Sequence, residues 1–159
     1  MVSGSSAGGL AAPFYANIIA NNYPKARVVG IGDAAGAYRK SATEKADLTA
    51  WNMEKPYNNH EPFSNLNSQN IGIEKLYMSA ASQQLTNLKL YQVDQAYDNS
   101  QHYFLTLAGT EDPEVSRLIQ KNRLDIRNSY PEFRSFMIGG REHTVLARSL
   151  FYNYRSHGM

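Results

Sequence analysis

A serine near the start of the chain carries the strongest chemical signal, because Ser6 lies between Gly4 and Gly8. This G-x-S-x-G spacing is typical of a nucleophile elbow, a sharp turn between a strand and a helix that exposes the serine hydroxyl. Small residues are needed around such a serine, because the strand and helix backbones pass close together. The spacing therefore makes Ser6 a candidate nucleophile, and the N–H of Ala7, the next residue, a candidate oxyanion donor.

A serine nucleophile needs a histidine that accepts its proton. In α/β-hydrolases the order along the chain is serine, acid, histidine, and each residue follows a strand. His143 follows a strand-like run and a pair of glycines, whereas His60 lies in an irregular segment, His102 in a predicted helix and His157 near the last residue. His143 is therefore the predicted base, and the alternative is a surface histidine that caps a last short helix.

The histidine in turn needs a carboxylate that orients its ring. Asp94 and Asp98 both follow a predicted strand at residues 88–93, and spacing alone leaves the choice between them open. Asp33 ends an earlier strand, before the helix and strand that normally precede the acid, so it is interpreted as a carboxylate that organises a loop. Asp112 is explained as the cap of the following helix.

Helical and strand-like patterns alternate along the chain, which predicts an α/β layer fold with a mostly parallel sheet and helices on both faces. Predicted helices cover residues 7–22, 73–80 and 101–107 and a stretch that Pro113 opens, and predicted strands cover residues 27–31, 88–93 and 133–138. Residues 34–70 are polar and weakly periodic, apart from one predicted short helix near residues 46–51. A segment of this length and character is expected to form a lid or one wall of a cleft. Three aromatic residues of this segment are Trp51, Tyr57 and Phe63. They either pack in the core or line a sugar or acyl cleft.

The composition fits one domain, since 42% of the 159 residues are hydrophobic and 19% are charged. The 16 basic and 14 acidic residues are scattered, which argues against a nucleic-acid partner. The chain contains no run of 18 apolar residues, so the sequence predicts no membrane-spanning helix. The chain has no cysteine and its histidines are dispersed, so we expect neither a metal site nor another cofactor. A small-molecule or carbohydrate ester substrate is the favoured partner.

Three motifs in chain order resemble the pectin acetylesterase and Notum family of serine esterases, particularly its bacterial members. The first comprises residues 3–10 with residues 23–29 and Gly32-Asp33, the second is the aromatic-Asp-x-x-Gln motif at residues 97–101, and the third is the loop at residues 139–144 followed by Phe151-Tyr152. The resemblance implies an α/β-hydrolase that cleaves carboxylic esters, such as those of acetylated pectin, without a cofactor. It also favours Asp98 over Asp94 as the acid, beside Ser6 and His143.

The family's amino-terminal Gly-Gly-Trp type loop, which looks like the source of further oxyanion donors, has no counterpart here. We therefore expect residues 1–159 to form a partial α/β-hydrolase domain, incomplete at its amino-terminal side, whose site a second chain or residues outside this sequence complete. The sequence leaves open whether such a chain is active on its own. The alternatives are another acyl hydrolase on the same scaffold, such as a lipase, thioesterase or peptidase, and a non-catalytic fragment. The resemblance suggests that the full-length parent is secreted or periplasmic.

Overall fold

A parallel sheet of four strands forms the centre of the computed structural model, which describes residues 1–40 and 54–153. The strands are β1 (Val2–Ser5), β2 (Val28–Asp33), β3 (Leu88–Gln95) and β4 (Arg134–Ile138), and they lie side by side in chain order. All three neighbouring pairs are parallel, so their carboxyl ends meet at one edge of the sheet. The predicted α/β fold with a parallel sheet is confirmed.

Helices connect these strands. They are α1 (Ala7–Asn22), α2 (Glu54–Asn58), α3 (Ile73–Ser82), α4 (Asn99–Leu107) and α5 (Val115–Ser129), and a 3-10 helix covers Ser149–Asn153. The bounds predicted for α1 are confirmed. The predicted cap of α5 is wrong: Glu114, not Asp112, accepts a hydrogen bond from the N–H of Arg117 at 3.0 Å, and Pro113 lies before the helix. No helix of the described ranges is long and apolar enough to cross a membrane.

One face of the sheet packs tightly against α1. A Cβ atom on Gly30 of β2 would lie 2.7 Å from the Cβ of Ala16, so only glycine lets the helix approach this closely. The main core continues from α1 to α3 and α5, and it includes Phe14, Tyr77 and Ile126. The large side chains on these helices therefore fix the sheet against one helical layer.

The opposite face of the sheet carries a smaller apolar cluster. Val93 at the end of β3 and Ile138 at the end of β4 pack there against Val145, which is fully buried. Val145 belongs to the loop after β4, so this cluster holds that loop across the carboxyl ends of the strands.

Part of the segment that was predicted to be irregular contributes to the core. Tyr57 and Phe63 are buried, and each ring contacts Phe14 edge-on at 4.9 Å between centroids. These two aromatic side chains therefore pack in the core and do not line a cleft. Trp51 and the predicted short helix at residues 46–51 lie outside the described residues.

Replacing Phe63 with alanine tests this core position. We expect the free energy of unfolding to fall by about 3–5 kcal/mol, because the substitution leaves a cavity among aromatic rings. Urea titration followed by circular dichroism measures the change. Tyr103→Ala is the control, since the Tyr103 side chain is mostly exposed and its loss should cost no more than about 0.5 kcal/mol. Equal losses in the two variants would contradict the core assignment.

Candidate active site

Ser6 lies at the turn between β1 and α1 in a strained backbone conformation. Its φ of 57° and ψ of −124° are unfavourable for a residue with a side chain. Two backbone contacts hold the turn: the Ser6 N–H donates to the carbonyl of Asp33 at 2.8 Å, and the Ser6 carbonyl accepts from the N–H of Gly9 at 2.8 Å. Such strain persists only where the surrounding structure fixes it, and it is typical of functional positions.

The glycine spacing around Ser6 has a steric cause. A Cβ atom on Gly4 would lie 2.2 Å from the carbonyl oxygen of Gly8. That oxygen belongs to the backbone of the first turn of α1, which cannot move away without unwinding the helix. A sharp strand-to-helix turn at Ser6 therefore requires glycine at position 4, in agreement with the elbow interpretation.

Ala7, the candidate oxyanion donor, is the first residue of α1. The N–H groups of the first turn have no acceptor within their own helix, and the helix dipole makes this end partially positive. Ala7 is also exposed. Its N–H is therefore suited to hydrogen-bond an oxygen that gains negative charge beside Ser6.

Asp98 and His143 form the central pair of the site. The Oδ2 atom of Asp98 lies 2.8 Å from Nδ1 of His143, and the exposed fraction of the side chain is 0% for Asp98 and 21% for His143. A carboxylate at this position fixes the tautomer in which Nδ1 carries the proton and Nε2 is free to accept one. This is the orientation that a general base next to a serine requires.

Further hydrogen bonds hold the Asp98 carboxylate, which caps helix α4. The N–H groups of Ser100 and Gln101 donate to Oδ1 at 2.9 and 3.0 Å, and Nε2 of Gln101 donates to Oδ2 at 3.2 Å. Gln101 is itself held by the N–H of Ala37, which donates to Oε1 at 3.0 Å. The Asp-x-x-Gln spacing thus places an amide on the same carboxylate oxygen that meets His143.

A partly buried tyrosine, Tyr38, interacts electrostatically with Asp98. Burial, and secondarily the negative charge of Asp98, raise the pKa of Tyr38 to about 12. The Tyr38 phenol therefore stays protonated and neutral near the carboxylate. Its ring packs against the apolar cluster of Leu105 and Ile119.

Asp94, the other candidate acid, is engaged elsewhere. Its carboxylate accepts from the N–H of Gly36 at 2.8 Å and from the amide of Gln92, and it lies 3.8 Å from the guanidinium of Arg123. Burial raises the pKa of Asp94 to about 6. Asp98, not Asp94, is the carboxylate that contacts His143.

The other histidines lie away from this pair. The ring of His102 contacts the carbonyl of Pro113 at 3.0 Å, and the ring of His60 packs against Phe14. His157 lies outside the described residues.

Gln95, which the sequence analysis did not single out, holds the loop on both sides of His143. Its Nε2 donates to the carbonyl of Thr144 at 3.3 Å, and its Oε1 accepts from the N–H of Glu142 at 3.2 Å. A Cβ atom on Gly140 would lie 1.9 Å from Oε1 of Gln95, so a larger residue at position 140 would displace the Gln95 amide. The only sequence signal for Gln95 is its position two residues after the predicted strand at residues 88–93, which in the structure extends to Gln95 itself.

Ser6, Asp98 and His143 all follow the carboxyl ends of strands, as the sequence analysis expected. Among the described residues no hydrogen bond joins the Ser6 hydroxyl to His143. In structures without substrate this bond is often long, and it tightens in the complex. No group of three metal-ligating side chains occurs in the described ranges.

Comparison with known proteins adds no assignment. No model of a protein family, no curated protein and no solved structure gives a significant match to this chain. The functional interpretation therefore rests on the residues and geometry described above and on the motif resemblance given in the sequence analysis.

Gln101→Leu tests whether the amide positions Asp98. We expect covalent labelling of Ser6 by a fluorophosphonate to slow about 10-fold, because the carboxylate loses a hydrogen bond of roughly 1.5 kcal/mol. Gln92→Leu is the matched control, since Gln92 is another buried glutamine that donates to Asp94. Equal labelling rates in the Gln101 variant and the unmodified protein would show that the amide has no such role.

Asp94→Asn tests the raised pKa. A pKa raised by folding gives stability that is complete below about pH 4 and is lost as the pH rises through about 6. Asparagine does not titrate, so only the unmodified protein loses this stability as the pH rises. The free energy of unfolding of the variant minus that of the unmodified protein should therefore increase by up to about 3 kcal/mol between pH 4 and pH 7. Urea titrations across that range measure the difference. A difference that does not change with pH would contradict the assignment.

Proposed function

We propose that this protein is a serine carboxylester hydrolase of the α/β-hydrolase type, with Ser6 as nucleophile, His143 as base and Asp98 as orienting acid. The observation that carries the proposal is the 2.8 Å contact between His143 and the fully buried carboxylate of Asp98. It occurs at the same sheet edge as a serine in a strained turn.

The positions of the three residues along the sheet support the hydrolase type. Ser6 follows β1, Asp98 follows β3 and His143 follows β4, which is the chain order serine, acid, histidine. A surface histidine that merely caps a helix would need neither a buried carboxylate nor the bracing from Gln95. The same geometry is compatible with several acyl substrates, and the ester class comes from the family resemblance.

The proposed reaction proceeds in two balanced steps. The Ser6 hydroxyl oxygen attacks the ester carbonyl while its proton moves to Nε2 of His143, and the tetrahedral intermediate expels the alcohol, which takes that proton. Water then attacks the acyl group on Ser6, gives a proton to His143, and the carboxylic acid leaves as the Ser6 hydroxyl is restored. Asp98 stabilises the imidazolium that forms in each step, and the Ala7 N–H stabilises the oxyanion.

An acetylated polysaccharide is the substrate class that we propose. Exposed aromatic residues that lie close along the chain to Asp98 and His143 support it, because aromatic faces stack on sugar rings. Tyr97, directly before Asp98, is 59% exposed, and Phe151 and Tyr152 form an edge-on ring pair beyond the His143 loop. A site of this kind should release acetate from acetylated pectin and cleave short activated esters faster than long-chain ones.

A fluorophosphonate probe tests the proposed nucleophile and base. We expect an adduct on the peptide that contains Ser6, located by mass spectrometry, because the probe reacts with activated serines. His143→Ala should slow labelling by at least about 1,000-fold, and Asp98→Asn by about 100-fold or more.

Ser6→Ala should abolish the adduct, and Ser3→Ala is the matched control, because Ser3 is an exposed serine on the same strand and is not the proposed nucleophile. Circular dichroism establishes that each variant is folded. An adduct on another residue, or no adduct on the folded unmodified chain, would contradict the proposed function.

A further inference from the structure

The strand order sets a geometric problem for the proposed triad. Ser6 follows β1 and His143 follows β4, and these strands lie at opposite ends of the four-stranded sheet. Three strand spacings separate them, which is about 14 Å. The loop after β4 must therefore return across the ends of β3 and β2 before His143 can serve Ser6.

Asp33, the last residue of β2, meets this returning loop. Its Oδ1 accepts from the N–H of Val145 at 2.8 Å, and its Oδ2 accepts from the N–H of Leu146 at 3.0 Å. These are the second and third residues after His143. Asp98 thus holds the His143 ring from the side of β3, and Asp33 holds the following backbone beside β1.

The same aspartate also holds the nucleophile turn. Oδ2 of Asp33 accepts from the Ser5 hydroxyl at 2.7 Å, and the Asp33 carbonyl accepts from the Ser6 N–H at 2.8 Å. The Asp33 side chain is completely buried, with an exposed fraction of 0%. One residue therefore contacts both backbone segments that carry the proposed nucleophile and the proposed base.

From these contacts we infer that Asp33 is a positioning residue that sets the distance between Ser6 and His143, an inference that rests on the proposed function. Its carboxylate acts through the Ser5 hydroxyl and the N–H groups of Val145 and Leu146. Its carbonyl holds the Ser6 N–H, and Asp33 takes no part in proton transfer. This role is more specific than the organisation of a loop, because a change at Asp33 should alter the rate at which Ser6 reacts.

Backbone strain around Asp33 supports this role. Ser6, Ala34 and Thr144 have φ values of 57°, 57° and 68°, where residues with side chains are rare. The Ser6 N–H bonds the Asp33 carbonyl, Ala34 follows Asp33 directly, and Thr144 precedes Val145, whose N–H bonds the Asp33 carboxylate. Strained residues keep their conformation only when neighbouring contacts fix them, and Asp33 supplies several of these contacts.

The carboxylate matches the three donors that surround it. An aspartate carboxylate only accepts hydrogen bonds, and its two oxygens can take the Ser5 hydroxyl and two N–H groups together. Asparagine has the same shape, but its NH₂ group would face either the Val145 or the Leu146 N–H as a second donor. Asp33→Asn therefore breaks the bracing while it changes the size of the side chain very little.

The test compares Asp33→Asn with the unmodified protein by the rate of fluorophosphonate labelling and by amide hydrogen exchange. We expect labelling of Ser6 to slow about 100-fold, as a misplacement of roughly 1 Å can cause. The Val145 and Leu146 amides should exchange about 10-fold faster or more. The NMR signal of the His143 Nδ1 proton should persist, because the bond to Asp98 is untouched. Unchanged labelling and exchange would overturn the inference.

Two further variants keep the test decisive. Asn17→Ala removes a buried side chain that bonds the Ala80 carbonyl, away from the site, and it should destabilise the fold without slowing labelling. If it slows labelling as much as Asp33→Asn does, the effect is general instability and the inference fails. If Asp33→Asn does not fold, Ser5→Ala loses only the tether to the turn and should slow labelling several-fold; an unchanged rate would overturn the inference.

Failure of the proposed function is a separate outcome. If the folded unmodified protein is not labelled at all, the serine hydrolase proposal fails. Hydrogen exchange at Val145 and Leu146 still reports whether Asp33 holds the loop, so the two results are distinguishable.

Discussion

The parallel register of the sheet is the constraint on which the rest of the structure depends. It brings the carboxyl ends of all four strands to one edge, where Ser6, Asp98 and His143 follow three of them. Because the strands lie in chain order, the two outer ones carry the serine and the histidine. The buried polar residues at this edge, including Asp33 and Gln95, hold the loop that reduces this separation.

Burying so many polar side chains in one place costs free energy unless each finds partners. Here the partners are mostly backbone N–H and carbonyl groups in the loops and the first helical turn that follow the strands. Asp98 accepts from the first turn of α4, and Asp33 accepts from the loop after His143. These polar contacts therefore pair backbone groups near the sheet edge and fix Asp98 and the His143 loop at the same time.

Much of this arrangement could be predicted from the sequence, because local patterns determine it. Apolar periodicity gave the correct bounds of α1, and glycine spacing identified the turn at Ser6, whose steric cause is the contact of Gly4 with Gly8. Strand-like runs also placed β2, β3 and β4 near their observed positions. His143 and Asp98 lie together as the order of the motifs implied.

Other features depend on contacts between distant parts of the chain, and no local pattern reveals them. Gln95 meets residues on both sides of His143, which lie more than 45 positions later in the sequence. Tyr57 and Phe63 occur in a polar, weakly periodic stretch, yet they pack on Phe14. The cap of α5 at Glu114 was missed because Asp112 and Pro113 offered an equally good local signal.

If Ser6 is the nucleophile, it carries an acyl group during the reaction. The most direct measurement is rapid mixing of the protein with p-nitrophenyl acetate, an acid quench within the first turnover, and mass spectrometry of the digested chain. We expect an acetyl group on the Ser6 hydroxyl oxygen of the unmodified protein, and no such group in His143→Ala. Ester cleavage by the folded protein without acetylation of Ser6, or no cleavage at all, would contradict the role of Ser6 as nucleophile.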